Sequence, residues 1–183
     1  MSCSVRQLAL ALVLSGGLIA VSGCGDDDPV SGGRGDTPFG NLPEVEAYRS
    51  SLNPVIDTVN EVQTQVQEQA VGSGNVATAE NLNSVYMTVR PRLLEALVEL
   101  DRIVPPFALV PLHDDVRQLM VLRIDAQALV IEGFASGDGE TMYAQAESKL
   151  AAANGLVVDL NTRLCTVDQA INPAVSCDEA LVS

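Results

Sequence analysis

The chain has 183 residues, of which 47% are hydrophobic but only 3% aromatic, with no Trp, and it carries a formal charge of −14. So acidic a protein repels phosphate backbones, which excludes nucleic acid as a partner and disfavours a surface grip on anionic lipid headgroups. The length admits one ordinary domain plus a leader, and a core of Leu, Val, Ala and Ile suits close-packed helices better than an aromatic-lined ligand pocket.

Residues 1–23 read as a secretory signal peptide. Arg6 is the only charged residue in this stretch, and Leu8 to Ala20 form an apolar run. That run falls short of the ~20 apolar residues a membrane span requires, and Gly16-Gly17 weaken it as a permanent helix. It ends in Val21-Ser22-Gly23-Cys24. An aliphatic residue, two small residues and a cysteine in this order resemble the lipobox of bacterial lipoproteins. The resemblance implies a diacylglyceryl group on the Cys24 thiol and cleavage before Cys24, which becomes the mature N-terminus. Acyl chains of this kind anchor a protein because each buried methylene contributes about 0.8 kcal/mol. The implied partner is therefore a membrane, reached through the lipid on Cys24, and the implied location is the extracytoplasmic face of a bacterial cell envelope. The motif spans four residues and supplies an address without an activity.

Residues 24–41 are the lipidated cysteine and a flexible linker. Gly, Asp, Ser and Pro dominate, with Val30 and Phe39 the only large apolar side chains, too little apolar surface to offset the entropy of ordering. Asp26-Asp27-Asp28 lack the alternating ligands and glycine turn of a calcium loop and read as a solvated run. Arg34-Gly35-Asp36 spells the tripeptide that animal integrins recognise, a string that arises readily in a Gly/Asp-rich linker.

From residue 42 to residue 183 the apolar spacing is helical. Val45, Tyr48, Leu52, Val55, Val59, Val62 and Val66 form the first stripe, stopped by Gly72-Ser73-Gly74. Leu82, Tyr86, Val89, Leu93, Ala96, Leu100 and Ile103 form the second, stopped by Pro105-Pro106. The third segment carries two stripes, Leu112, Val116, Leu119, Ala126 and Val130 beside Met120, Ile124, Ile131 and Phe134, ending at Gly137. Asp138 is placed to cap a fourth helix, with Tyr143, Ala146, Leu150, Ala153, Val157, Leu160, Leu164 and Val167 on its inner face. Four such patterns joined by short breaks predict an all-α, antiparallel up-down four-helix bundle, packed at small crossing angles. No strands are expected. Pro54 and Pro91 fall inside helical patterns whose phase continues across them, which predicts kinks; Asn53-Pro54 could instead open a fresh helix after a turn.

Cys165 and Cys177 lie where exported proteins keep disulfides, and Asn172-Pro173 supplies a turn between them. They are expected to staple the C-terminal tail onto the last helix. A redox pair would more commonly be spaced C-x-x-C. No catalytic residue, metal site or cofactor is expected. His113, the only histidine, has no nucleophile elbow beside it and no Glu-x-x-His pairing of the kind di-iron bundles use. Met87 and Met142 read as core filler. Glu95 and Glu99 are offset by Arg92 and Arg102, and Arg123, on an apolar stripe, either snorkels or pairs internally, with Asp159 one candidate. The functional expectation is a lipid-anchored, non-enzymatic envelope protein with a structural role or an interaction with another, unidentified envelope protein. The alternative is a binding module for a small apolar ligand or metal within the bundle.

Overall fold

A computed structural model describes residues 35–71, 77–178 and 180–183. The protein is an all-α four-helix bundle: α1 (Leu42–Val66), α2 (Ala79–Leu100), α3 (Val110–Ser136) and α4 (Gly139–Ile171). A π-helical turn, Gln67–Val71, extends α1, and a 3-10 turn, Phe107–Leu109, leads into α3. Helix starts and stops follow local chemistry. Thr78 caps α2 by accepting from the Asn81 amide at 3.2 Å. Proline occupies the first turn of α1 and of α3, where its missing donor costs nothing. Gly137, at φ +76°, ends α3 in the left-handed conformation. Asp138 takes the cap position of α4, but its side chain bonds no α4 amide.

Both internal prolines, Pro54 and Pro91, sit within continuous helices and face solvent. No new helix begins at Pro54. Water can reach the carbonyls that each proline leaves without a partner, which is why the helical phase survives.

Two parts of the linker-to-helix reading require correction. Residues 36–41 are not loose: Asp36–Thr37 (β1) pairs antiparallel with Gly40–Asn41 (β2) in a minimal hairpin, the one departure from an all-helical body among the described residues. Phe39 packs against the core, and the Leu42 amide donates to the Gly35 carbonyl at 2.6 Å. Within the turn the Thr37 hydroxyl donates to the Gly40 carbonyl at 2.9 Å and accepts from the Phe39 amide at 3.1 Å. Phe134, assigned to an inner stripe of α3, is instead 44% exposed. It lies near the end of the helix, past the reach of its neighbours.

The other stripe positions are buried or partly buried. Val45, Leu52, Val59, Val89, Leu93, Leu100, Leu119, Met120, Leu160 and Leu164 are all essentially inaccessible. The α3–α4 seam is the most intimate. Ala126, Ala146 and Ala153 are buried along it, and a methyl added at Gly133 would come within 3.0 Å of the Met142 Cβ. Small residues let two helix axes approach closely. Lys149–Asp125 at 2.8 Å and Arg163–Asp115 cross the same seam; the descending numbers on α4 against ascending ones on α3 show that the two run antiparallel.

Candidate functional site

Cys24 and the Val21-Ser22-Gly23 residues before it lie outside the described residues. Cys165 and Cys177 are joined in a disulfide, with Cα atoms 5.7 Å apart. What that bridge positions is the least expected part of the molecule.

Beyond Cys177 the chain returns along the groove between α1 and α4, whose direct contacts are sparse. Two asparagines clasp it. Asn161 on α4 accepts from the amides of Leu181 and Val182, both at 2.7 Å, and donates to the Val182 carbonyl at 2.8 Å. Asn60 on α1 donates to the Leu181 carbonyl at 3.0 Å and accepts from the Ser183 amide at 2.8 Å. Val182, buried between them, joins the hydrophobic core. Arg123 reaches across the interior from α3 and donates to the main-chain oxygen of Ser183. The tail thus fills a seam that four helices alone leave open. Of the two expectations for Arg123, pairing inside the protein is the one found, but not with Asp159, which bonds Arg163 at 3.1 Å. Burial pulls the Arg123 guanidinium down to about 10, partly offset by the nearby Tyr86, and it stays charged at neutral pH.

Lower on the same seam, Arg49 forms a two-pronged bond with Asp168: Nε to Oδ1 at 2.6 Å and Nη2 to Oδ2 at 2.9 Å. Both side chains are largely shielded, at 11% and 16% exposure, so this pair is stronger than the exposed ones. None of Arg49, Asn60, Asn161 and Asp168 was singled out from the sequence. A weak signal existed, since Asn is a poor helix former that favours side-chain bonds to backbone, and both asparagines stand in mid-helix.

The other polar cluster lies where α1 and α3 begin. His113 is buried rather than at a helix edge, with its ring centroid 6.1 Å from that of Tyr48. The His113 Nδ1 and the Tyr48 hydroxyl are buried without partners. Burial holds the His113 imidazole below its usual range, opposed by Asp114, so the neutral ring is favoured. Burial likewise pushes Tyr48 up to about 12, against the pull of Arg49. Tyr48 also lines an open groove of about 780 Å³, walled by Glu44 and Ser51 of α1 and by Arg102 to Pro106 after α2. Gln127, on α3, is a third buried polar residue with an unpartnered oxygen.

A few of the remaining carboxylates hold elements together. Arg102 pairs with Glu99 as expected, but Arg92 crosses to Glu61 and Gln65 of α1 instead of offsetting Glu95. Met87 is 60% exposed and does not fill the core. Among the described residues no three His, Cys, Asp or Glu side chains are grouped to hold a metal ion, and no helix is long and apolar enough to cross a membrane. The enclosed space between α2, α3 and α4, lined by Leu82, Tyr86, Val130 and Tyr143, amounts to about 20 Å³, room for about one water.

Compared with known proteins, the chain matches no family model, no curated protein and no solved structure.

Proposed function

We propose that this is a bacterial lipoprotein: a non-enzymatic protein of the cell envelope, held on the extracytoplasmic side by acyl chains on Cys24, whose helical body acts on another envelope protein or as a structural component. The Val21-Ser22-Gly23-Cys24 motif behind an apolar leader carries this reading. Its interaction arm is supported by the outer face of α2, where Met87, Leu94 and Val98 stand exposed at i, i+7 and i+11, one side of the helix and the pattern by which helices dock in partner grooves. The non-enzymatic arm is supported by the employment of Arg49, Asp168, Arg163 and Arg123 in bonds between elements. Membrane fractionation tests the anchor. The wild-type chain is expected in the membrane fraction with a mass increase on Cys24, and the Cys24→Ala variant in the soluble fraction. A variant that stays with the membrane, or a bare Cys24 thiol, would refute it. Crosslinking in native membranes tests the interaction.

The competing reading, a small apolar ligand or metal held between the helices, has less to support it, because an interior opening of about 20 Å³ is far below the ~300 Å³ of small ligand pockets. Metal analysis and native mass spectrometry of the purified protein decide that point.

A further inference from the structure

Among the described residues, the large apolar side chains most exposed to water are Phe107, at 95%, and Val104, at 87%. Both sit in the connection between α2 and α3, separated by Pro105 and Pro106. An exposed valine or phenylalanine is by itself ordinary. Three observations make this pair different.

First, the tip has few backbone donors and two of its carbonyls are already bonded. Pro105 and Pro106 have no N–H. The Pro106 carbonyl accepts from the Leu109 amide at 2.8 Å, and the Phe107 carbonyl accepts from the Val110 amide. Entry of a loop into an apolar medium is opposed chiefly by unsatisfied backbone groups; the two prolines remove two of them, and a shallow contact leaves the rest at the wet interface. Second, the nearby basic side chains are each paired with an acid. Arg102 pairs with Glu99 at 2.5 Å and Arg117 with Asp101 at 2.8 Å, leaving Glu44 of α1 as the acid without a basic partner in the groove beside the tip, with Asp114 exposed near the start of α3. Third, the tip shares an end of the bundle with the start of the body. Val104, Pro105 and Pro106 wall the same groove as Glu44, Ala47 and Tyr48 from the first two turns of α1. The chain leading back to Cys24 departs from this end, and the eleven residues from Cys24 to Gly35 reach at most ~40 Å when fully extended.

We propose that residues 104–107 form a shallow membrane contact, the tip on which the helical body seats against the bilayer that holds its acyl chains. The proposal rests on the lipid-anchor reading above. An anchored body already samples the bilayer surface at high effective concentration, so a contact of two side chains, too weak to recruit a free protein, suffices to orient a tethered one. The bundle then stands with α2's outer face and the α3–α4 turn directed away from or along the membrane, free for other contacts. Because the body is acidic, the contact favours zwitterionic over anionic lipid.

The chain has no tryptophan, so a Phe107→Trp variant carries a single reporter at a solvent-exposed position. The full-length acylated protein is reconstituted in phosphatidylcholine vesicles with brominated acyl chains. Phe134→Trp is the control, 27 residues further along α3 and therefore about 40 Å away. The expected result is a blue-shifted emission and several-fold stronger bromine quenching for Trp at 107 than at 134, both diminished when anionic lipid is added. Protein that floats with the vesicles while the reporter at 107 is quenched no more than the control overturns the contact and leaves the anchor intact. Protein that fails to float, with a bare Cys24, overturns both. A reporter shielded in native membranes but not in pure lipid vesicles assigns the tip to a protein partner and also overturns the proposal.

Discussion

The α3–α4 and α1–α4 seams solve the same problem by different means. Along α3–α4, Gly133, Ala126, Ala146 and Ala153 bring two helices into direct contact, and the stabilising term is apolar burial. Along α1–α4, direct contacts are sparse; the seam is closed below by the Arg49–Asp168 fork and above by a strand of tail held by Asn60, Asn161 and Arg123. Helices whose facing side chains are too large or too polar to meet can still share a core if an extended segment is inserted between them. Its backbone groups must then be satisfied by side chains, because no ladder is available to it. Adjacent residues on α4 display the contrast: Leu160 is fully buried in the core, and Asn161 holds the tail.

That contrast can be broken at single positions. Leu160→Ala should cost most, about 3 kcal/mol of stability, read by chemical denaturation; a loss below about 1 kcal/mol would mean that the bundle relaxes around the site. Cys165→Ser should cost about 3 kcal/mol in the chain-entropy account, with the tail cleaved by protease before the helices are. Alkaline titration probes the interior that α2 contributes. Tyr86, like Tyr48, is pushed up to about 12 by burial. Below pH 10 both folded and unfolded tyrosines are neutral and contribute no pH dependence. As pH rises from 10 to 12, the unfolded chain releases its protons while the folded one retains them, so stability falls by about 1.4 kcal/mol per pH unit for each tyrosine. Buried Arg123, lowered to about 10, contributes with the opposite sign over the same range, so Tyr86→Phe should remove a fall of about 1.4 kcal/mol per pH unit rather than a fixed share of the slope; an unchanged slope would show that Tyr86 ionises freely in the fold. Asn161→Ala removes three bonds to the tail and should cost about 2 kcal/mol. Hydrogen exchange should rise at residues 181–183 and remain slow across α3. Lys149→Ala, on an exposed pair of the direct seam, should cost less than about 1 kcal/mol.

Acid provides a further comparison of the two polar clusters. Because burial lowers the His113 pKa, the unfolded chain takes up a proton as pH falls through about 6.5 while the folded chain resists. Stability conferred at neutral pH is therefore lost on the acid side, and His113→Gln should flatten that decline without loosening the tail.

The helices were legible because their signal is local. A residue three or four places from another lies on the same face whatever else the chain does, so the stripes beginning at Val45, Leu82, Leu112 and Tyr143 identified the inner faces before any tertiary contact was known. Exceptions occur where a helix face runs out of neighbours: Phe134 near the end of α3, Met87 on the outer side of α2. The disulfide was legible too, from two cysteines flanking a turn. The candidate functional features divide in the same way. The proposed lipobox rests on four consecutive residues, but the apolar tip at Val104 and Phe107 acquires meaning only when the start of α1 is found beside it.

The order of the elements, their type and most of the core thus follow from the amino-acid sequence alone, through periodicity and proline and glycine punctuation. Which partner each polar group takes does not. Arg123 could have met Asp159 and meets Ser183; Arg92 could have offset Glu95 and crosses to Glu61; Val182 could have trailed in solvent and fills a seam. Hydrogen bonds and ion pairs depend on distances of a few ångströms between segments far apart in the chain. Those distances are set only when the helices have packed, and so the tertiary structure alone decided them.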